Sequence, residues 1–192
     1  MHINPYGRDP VLLAVELVND PPSSLAELVE RCLGAGLVRE WEPVPADLTA
    51  VRAFLDRWTA VVDAEPGPGR AHLLNALLAE GTGPPRLTDH DGHWHLHHRD
   101  DDLGLAGVLH ALIATGTATH LVTRGMDRLG RCAAPGCERV FADVSRNGRR
   151  RYCSARCGNT DAVRRHRGAQ RPPEPTGELT GAAAGRSSRA RA

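Results

Sequence analysis

The most conspicuous absence in this chain of 192 residues is lysine, since all 24 basic residues are arginine. Together with many alanines, glycines and prolines, this bias indicates a GC-rich genome, so an arginine by itself does not indicate guanidinium chemistry. Aromatic residues are also scarce, at 4%, whereas 41% of the residues are hydrophobic. The length and the hydrophobic content therefore predict one ordinary domain with a core, followed by a small module.

The N-terminal part of the chain has no long hydrophobic run. The first apolar run, at 11–15, ends after five residues at Glu16, whereas a membrane-spanning helix needs about 20. The opening MHINPYGRDP has no basic region followed by an apolar stretch, which a signal peptide would have. We therefore expect a soluble, cytoplasmic protein. Thiols stay reduced in that compartment, so clustered cysteines indicate a metal site more often than a disulfide.

The small net charge of +1 conceals a strong asymmetry along the chain. Residues 1–123 hold 8 arginines and 17 acidic residues, a net charge of −9. Residues 124–171 hold 13 arginines and 4 acidic residues, a net charge of +9. This division predicts an acidic body joined to a basic module that binds anions. The alternative is that the two halves simply attract each other.

Hydrophobic periodicity predicts an α+β fold whose N-terminal domain is mostly helical and contains a β-hairpin. The apolar run at 9–20 fits either a strand or a first helix. Helical patterns follow at 23–37, 46–63, 67–81 and 102–125. The hairpin is expected around the turn signal Asp91-Gly92. The predicted domains are 9–125 and 126–170, with a disordered tail at 171–192, where no periodicity remains.

Four of the five cysteines have the spacing of a zinc site, Cys132-x4-Cys137-x15-Cys153-x3-Cys157. Between the pairs lies the turn signal Asn147-Gly148 with flanking residues suited to short strands, and Ser154 can cap a following helix. A hairpin and a helix N-terminus would then converge on one tetrahedral centre, a treble-clef-like arrangement. Four thiolates leave no open position on Zn2+, so we predict a structural zinc ion. The alternative is that these cysteines are buried or form disulfides.

Zinc would supply most of the folding energy of so small a module. Four thiolates and one Zn2+ sum to −2, which lowers the charge of residues 124–171 from +9 to +7 and leaves them strongly basic. The fifth cysteine, Cys32, lies on the apolar face of an early predicted helix. We expect it to be a small core residue.

The stretch RCAAPGCERVFADVSRNGRRRYCSARCGNTDAVRRHR closely resembles the CGNR zinc finger. Upstream, LLAVELVND, LNALL and DGHWHL resemble the ABATE domain that precedes this finger, so the resemblance spans about residues 11–168. It implies a bacterial, stress-related regulator of transcription, with a finger that binds DNA and an N-terminal domain that acts as a sensor. The chain departs from the signature at Thr160, which replaces the arginine after Cys-Gly-Asn, while the metal ligands are intact.

The arginines of the module are the candidate DNA-binding residues. If 155–168 is helical, a stripe forms from Arg156, Thr160, Arg164 and Arg167, and the arginines at 149–151 approach it from the hairpin. Several cations on one surface suit a phosphate backbone, and guanidinium groups also suit guanine edges. The predicted contacts with duplex DNA are Arg149, Arg150, Arg151, Arg156, Arg164, Arg165 and Arg167.

Other interpretations of this surface stay open. The arginines can simply form the solvated face of a helix in an arginine-biased protein. Alternatively, the module can be an adaptor that binds a protein partner, as other treble-clef modules do. A nuclease on the same scaffold would need a histidine with a partner acid, but His166 is the only histidine of the module and has no acid at a suggestive spacing. We therefore predict that the protein is not an enzyme.

Two groups of polar residues in the N-terminal domain could hold a small-molecule or metal effector. Alternation places His93, His95 and His97 on one face of a strand, where they could bind a metal or could simply be exposed. Glu16 and Asn19 border the first apolar segment. They could line a ligand pocket between the helices and the hairpin, or only cap the next element.

Overall fold

Most of the described chain is helical. The computed structural model describes residues 7–37, 41–89, 92 and 94–169. In chain order its elements are α1 (Arg8–Asn19), α2 (Leu25–Gly34), α3 (Pro45–Asp63), α4 (Pro68–Gly81), β1 (Arg86–Thr88), β2 (His95–His97), α5 (Leu105–Arg124), β3 (Leu129–Arg131), β4 (Val140–Ala142) and α6 (Ala155–Ala169). The predicted α+β class is confirmed, with a helical N-terminal region and two small antiparallel sheets.

Helix α5 lies at the centre of the N-terminal region, and α1, α3 and α4 pack against it. Eleven of its 20 residues are buried, because its sequence is apolar on nearly every side. By length and composition α5 could also cross a membrane, but 61% of its most apolar segment is buried inside the protein, as in the core helix of a soluble protein. The predicted central helix is therefore confirmed.

The apolar run at 9–20 forms a helix, α1, and not a strand. It approaches α5 so closely that two glycines are needed at the contact. A Cβ atom added to Gly116 would lie 2.6 Å from the Cβ atom of Pro10. Gly7, with φ at 61°, has no room either, since its added Cβ would lie 1.9 Å from the Gly116 carbonyl oxygen. This close approach positions the last residue of α1, Asn19, next to β4.

Helices α2, α3 and α4 lie where the periodicity predicts them. Ser24 caps α2, because its Oγ accepts a hydrogen bond of 3.2 Å from the Glu27 N–H. The Glu27 carboxylate accepts in return from the N–H and Oγ of Ser23, at 2.8 and 2.7 Å. These bonds from Ser23, with a smaller contribution from Arg31, lower the pKa of Glu27 to about 2. Cys32 is fully buried in the core, as predicted.

The first hairpin joins β1 and β2, with Leu87 opposite Leu96. His95 and His97 share one face of β2, as the alternation predicts, while Asp91 and His93 lie outside the described residues. The opposite face is apolar and open to solvent, since Leu87 is 69% exposed and Leu96 is 53% exposed. The hairpin therefore has one imidazole face and one exposed apolar face.

The second hairpin differs from the prediction. Strands β3 and β4 pair across the 132–137 loop, with Gly130 opposite Phe141, and not across Asn147-Gly148. Residues 143–152, which contain that turn signal and the arginines at 149–151, form no strand. The physical reason is the Asp143 carboxylate, which accepts backbone hydrogen bonds that a ladder would otherwise use. The predicted hairpin at this position is wrong.

The hydrophobic core continues from the helices into the second hairpin. Leu129, Val140 and Ala142 are buried in the same cluster as the apolar residues of α1, α3 and α5. The predicted boundary at 125/126 therefore falls in a packed region, and the division into domains at 9–125 and 126–170 stays a prediction. The predicted tail at 171–192 lies outside the described residues.

Candidate metal centre and basic surface

Four cysteine sulfurs lie together beside the second hairpin. The Sγ atom of Cys153 is 3.8 Å from that of Cys137 and 3.7 Å from that of Cys157, and the latter two are 3.9 Å apart. With Cys132, all four ligand atoms lie within 4.8 Å of one another. Four thiolates bound to one ion at about 2.3 Å in a tetrahedron would be about 3.8 Å apart. The cluster therefore has the dimensions of a tetrahedral metal site.

The first two sulfurs are held by a tight loop between β3 and β4. The Cys132 N–H donates to the Arg139 carbonyl at 2.8 Å, and the Cys137 N–H donates to the Ala134 carbonyl at 3.1 Å. Gly136 has φ at 73°, a left-handed conformation that glycine adopts at no steric cost. The loop thus directs both thiols toward the same point.

The other two sulfurs are held by the N-terminus of α6. Cys153 precedes the helix, and Cys157 lies in its first turn. The Cys157 N–H donates to Ser154 Oγ at 3.2 Å, so the predicted N-cap is confirmed. The Cys153 N–H in turn donates to the Cys132 sulfur at 3.4 Å, which connects the two halves of the site.

The thiols differ in how readily they ionise. Burial raises the pKa of Cys132, but hydrogen bonds from the backbone N–H groups of Cys153 and Ala134 outweigh it and bring the pKa to about 7. Burial raises the pKa of Cys153 to about 12, with contributions from hydrogen bonds to Cys157 and Cys132. A metal ion would bind the cysteines as thiolates, so metal binding is coupled to the release of protons.

Asp143 organises the loop beside the metal centre, and no motif in the sequence analysis identified it. Its side chain is buried and accepts hydrogen bonds from the N–H groups of Ser145 and Arg150, both at 2.9 Å, and from the Arg128 guanidinium at 3.3 Å. Burial raises the pKa of Asp143, but the bonds from Ser145 and Arg150, with Arg128, outweigh it and lower the pKa. The order Asp-x-Ser is typical of an Asx turn, in which the aspartate side chain accepts from the backbone N–H two residues later, and this signal could have revealed it.

The three consecutive arginines have different surroundings. Arg150 turns back onto the backbone, where its Nε donates to the Tyr152 carbonyl at 3.0 Å and its Nη2 to the Cys153 carbonyl at 2.6 Å. Arg149 and Arg151 are exposed, and their guanidinium groups form no hydrogen bond or ion pair within the described chain. Two of the three are thus available to an external anion, and Arg150 supports the segment that carries Cys153.

Helix α6 exposes the predicted stripe to solvent at Arg156, Thr160, Arg164 and Arg167. Asp161, beside the stripe, is 5% exposed and accepts hydrogen bonds from the Tyr152 hydroxyl at 2.8 Å and from Arg164 Nη2 at 2.9 Å. Arg165 Nε lies 3.2 Å from the same carboxylate. Among these described residues, Arg156 and Arg167 have no ion pair, whereas Arg164 and Arg165 share one acid.

Two open clefts beside the arginines are rich in positive charge. One, of about 310 Å³, lies at the start of α6 between the arginines at 149–151 and Asn159. The other, of about 430 Å³, lies between the same arginines and Arg131, with Phe141 and Asp127 on its wall. The basic surface therefore has concave parts that an anionic backbone can enter.

Glu16 and Asn19 face the module at residues 126–169, hereafter the finger, and do not lie at the first hairpin. They line a cleft of about 530 Å³ between α1 and the segment that carries Cys153, Arg156 and Cys157. Glu16 is exposed in this cleft. The Asn19 side chain, however, binds the backbone of Val140 through both its amide nitrogen and its amide oxygen. Asn19 therefore attaches the finger to α1.

Two arginines attach the helices to β3. The buried Arg70 guanidinium donates to the carbonyls of Val62 and Ala64 at the end of α3, and to those of Met126 and Leu129 before and in β3. Arg131 of β3 forms a two-pronged ion pair with Asp63, with distances of 2.7 and 2.9 Å. The orientation of the finger is thus set by polar contacts as well as by the shared core.

Comparison with known protein families gives two matches that divide the chain. Residues 12–125 match the ABATE family, described as "Putative stress-induced transcription regulator". Residues 128–170 match the CGNR zinc finger, and this match contains all four clustered cysteines and the whole of α6. A search of curated proteins finds no match.

Proposed function

This chain belongs to the ABATE family and carries a CGNR zinc finger, and on that premise we propose that it is a bacterial, cytoplasmic transcription regulator that binds duplex DNA through the finger. The observation that carries the proposal is a set of exposed guanidinium groups around one ordered centre. Four of them, Arg149, Arg151, Arg156 and Arg167, have no ion pair within the described chain.

Zinc is the metal that the proposal assigns to Cys132, Cys137, Cys153 and Cys157. Four thiolates at tetrahedral distances suit Zn2+, and they occupy all its positions, so the ion orders the chain and takes no part in a reaction. The cysteines join the 132–137 loop to the N-terminus of α6. They thereby determine the direction in which α6 leaves the core.

The arginines are placed to contact several phosphates at once. Arg156 lies in the first turn of α6 and Arg167 lies in its last described part. A rise of about 1.5 Å per residue separates them by about 16 Å along the helix axis, which is long enough to follow a groove. Arg149 and Arg151 extend this surface beyond the start of the helix. The phosphate backbone would supply most of the affinity.

Arg164 has a different role in the proposed complex. Its Nε and Nη2 atoms are held by Asp161 at 3.1 and 2.9 Å, so the guanidinium plane is oriented before DNA arrives. The remaining N–H groups can donate to a guanine edge or to a phosphate. Thr160 lies between Arg156 and Arg164 and adds no charge, so the neighbouring arginines must cover that position.

The N-terminal region would act on the finger as a sensor for a small molecule or a metal. Asn19 and Arg70 give it a direct physical route, since both bind backbone groups at or beside the second hairpin. An effector that moves α1 relative to α3 would change the orientation of α6. Such coupling is reciprocal and typically amounts to about 1–3 kcal/mol.

The experiment is a titration of labelled duplex DNA with the zinc-loaded, full-length protein at several salt concentrations. If about four to six phosphates are neutralised, the plot of log affinity against log salt should have a slope of about −4 to −5. Protein treated with a chelator should lose this binding. A zinc-loaded protein without salt-dependent DNA binding would contradict the proposal.

A second candidate function is that of an adaptor for a protein partner. The observation in its favour is exposed apolar surface: Trp94 is 73% exposed, the paired Leu87 and Leu96 are also exposed, and Val163 of α6 is 50% exposed. Such side chains are suited to a protein interface. Retention of a protein from cell lysate that survives high salt, together with a lack of DNA binding, would favour the adaptor.

A further inference from the structure

Two imidazole rings face each other on the first hairpin, far in sequence from the cysteines. The Nε2 atoms of His95 and His97 are 3.1 Å apart, and their ring centroids are separated by 4.8 Å at an interplanar angle of 64°. Two imidazole nitrogens that bind one ion at about 2.0–2.1 Å lie about 2.9 Å apart at a right angle and about 3.4 Å apart in a tetrahedron. The observed separation falls between these values, so little movement would be needed.

We propose that His95 and His97 form a second metal site, which takes a divalent ion of the borderline class such as Zn2+, Ni2+ or Cu2+. Neutral imidazole is a preferred ligand for these ions, whereas Mg2+ and Ca2+ prefer oxygen. Two nitrogens leave positions for water, so this site is open where the cysteine site is closed. The proposal stands whether or not the finger binds DNA.

A carboxylate lies near one of the two ligands, outside the proposed coordination sphere. Asp101 Oδ1 lies 3.5 Å from His97 Nδ1. The 3.5 Å separation is too long for a hydrogen bond of ordinary strength, but the charge of the carboxylate favours a proton on Nδ1, which leaves the lone pair of Nε2 for a metal ion. Metal-binding histidines commonly have such a carboxylate at the second ring nitrogen, which fixes the tautomer and the orientation of the ring.

The charges near the site are balanced in favour of a cation. Two arginines also lie in this region. Arg86, opposite His97 in the strand register, forms an ion pair with Asp101, and the buried Arg99 donates to the Asp100 carbonyl. Asp100 and Asp102 are exposed on either side of Asp101 and add negative charge. His97 is only 9% exposed, so packing already restricts its ring. The site thus has one fixed ligand, one half-exposed ligand and a local excess of acid.

The test is calorimetric titration of untagged, zinc-loaded, full-length protein with Ni2+, with zinc content measured before and after so that exchange at the cysteines is not counted. The wild-type protein should show one saturable Ni2+ site. His95→Gln should weaken it at least tenfold, and this variant should fold because the side chain is half-exposed. Asp101→Asn, which removes the carboxylate near His97 and also ends the ion pair with Arg86, should weaken it about tenfold.

The matched control is His98→Gln, which changes the histidine that follows His97. Because successive side chains alternate between the two faces of a strand, His98 is on the opposite face from His95 and His97. It should leave Ni2+ binding unchanged. Equal Ni2+ affinity in the wild type and His95→Gln would overturn the proposal, since the ion would then bind elsewhere. The absence of saturable binding to the folded wild-type protein would overturn it as well.

Discussion

The side chain of Asn19 binds both backbone groups of Val140, a residue 121 positions later in the chain. Its Nδ2 donates to the Val140 carbonyl at 2.9 Å, and its Oδ1 accepts from the Val140 N–H at 2.8 Å. Val140 is fully buried and Asn19 is half-buried, so these bonds satisfy backbone groups that have little access to water. The amide at the end of α1 therefore takes the place of a third strand along the free edge of β4.

Replacement of Asn19 by alanine should lower the free energy of unfolding by about 1–3 kcal/mol, because it leaves a buried N–H and a buried carbonyl without partners. Urea denaturation would measure this loss. The matched control is Glu16→Gln, one turn earlier on α1 and exposed, which should change stability by less than about 0.5 kcal/mol. Equal stability of the two variants would show that the contact contributes nothing.

Arg70→Met should be more damaging than any substitution of an exposed arginine. Its guanidinium donates five hydrogen bonds to four carbonyls, all within buried or half-buried surroundings. Hydrogen bonds to charged groups contribute about 1.5–3 kcal/mol each, so even partial relaxation should leave a loss of about 3 kcal/mol or more. Arg70→Lys should not restore stability, because an ammonium lacks the planar fork.

The control for Arg70 is Arg52→Met, since Arg52 donates to a single carbonyl, that of Pro22, at 2.6 Å. Thermal unfolding of both variants would compare them directly. A loss for Arg70→Met no greater than that for Arg52→Met would contradict the structural role assigned to Arg70.

Substitution of two cysteines should separate metal binding from core packing. Cys157→Ser removes one of the four clustered sulfurs, so the zinc content should fall from one ion per chain toward zero. Cys32→Ala should keep the zinc but lose stability, because Cys32 is fully buried in the hydrophobic core. Measurement of the zinc content of both variants, purified without chelators, would check the expected loss in Cys157→Ser and the expected retention in Cys32→Ala. Full zinc content in Cys157→Ser would remove this residue from the site.

The ion pairs at Asp161 predict opposite effects for two substitutions on α6. Arg156→Ala removes an exposed cation with no ion pair in the described chain, and should reduce the magnitude of the salt slope of DNA binding by about 0.9. Asp161→Asn removes the acid shared by Arg164 and Arg165, and should tighten binding at low salt. Fluorescence anisotropy at several salt concentrations measures both quantities.

The control for both substitutions is Arg57→Ala, which removes a cation of α3 that is paired with Glu80 of α4, in the N-terminal helical region. It should leave DNA affinity and salt slope unchanged. If Arg57→Ala and Arg156→Ala had the same effect, DNA binding would depend on total charge and not on the finger.

Thr160→Arg should tighten binding or leave it unchanged, because it fills the gap in the stripe with a cation.

Prediction succeeded where the contacts are local. The cap at Ser154, the limits of α4 and the burial of Cys32 all follow from residues within one or two turns of each other. It failed at Asn147-Gly148, where a favoured turn dipeptide predicted a hairpin. There the buried Asp143 carboxylate takes the backbone N–H groups of Ser145 and Arg150, a competition that a turn signal does not reveal.

The sequence by itself determined the helical core, the clustering of four cysteines and the basic character of the finger, because periodicity, ligand spacing and composition are properties of short segments. Only the tertiary structure decided which polar groups are already occupied. Asn19 is bound to Val140, Arg150 to nearby carbonyls, and Arg164 to Asp161. It also decided that β3 and β4 share the core of the helices. Burial removes polar groups from water, and the partners that then satisfy them are chosen in space, sometimes from more than a hundred residues away.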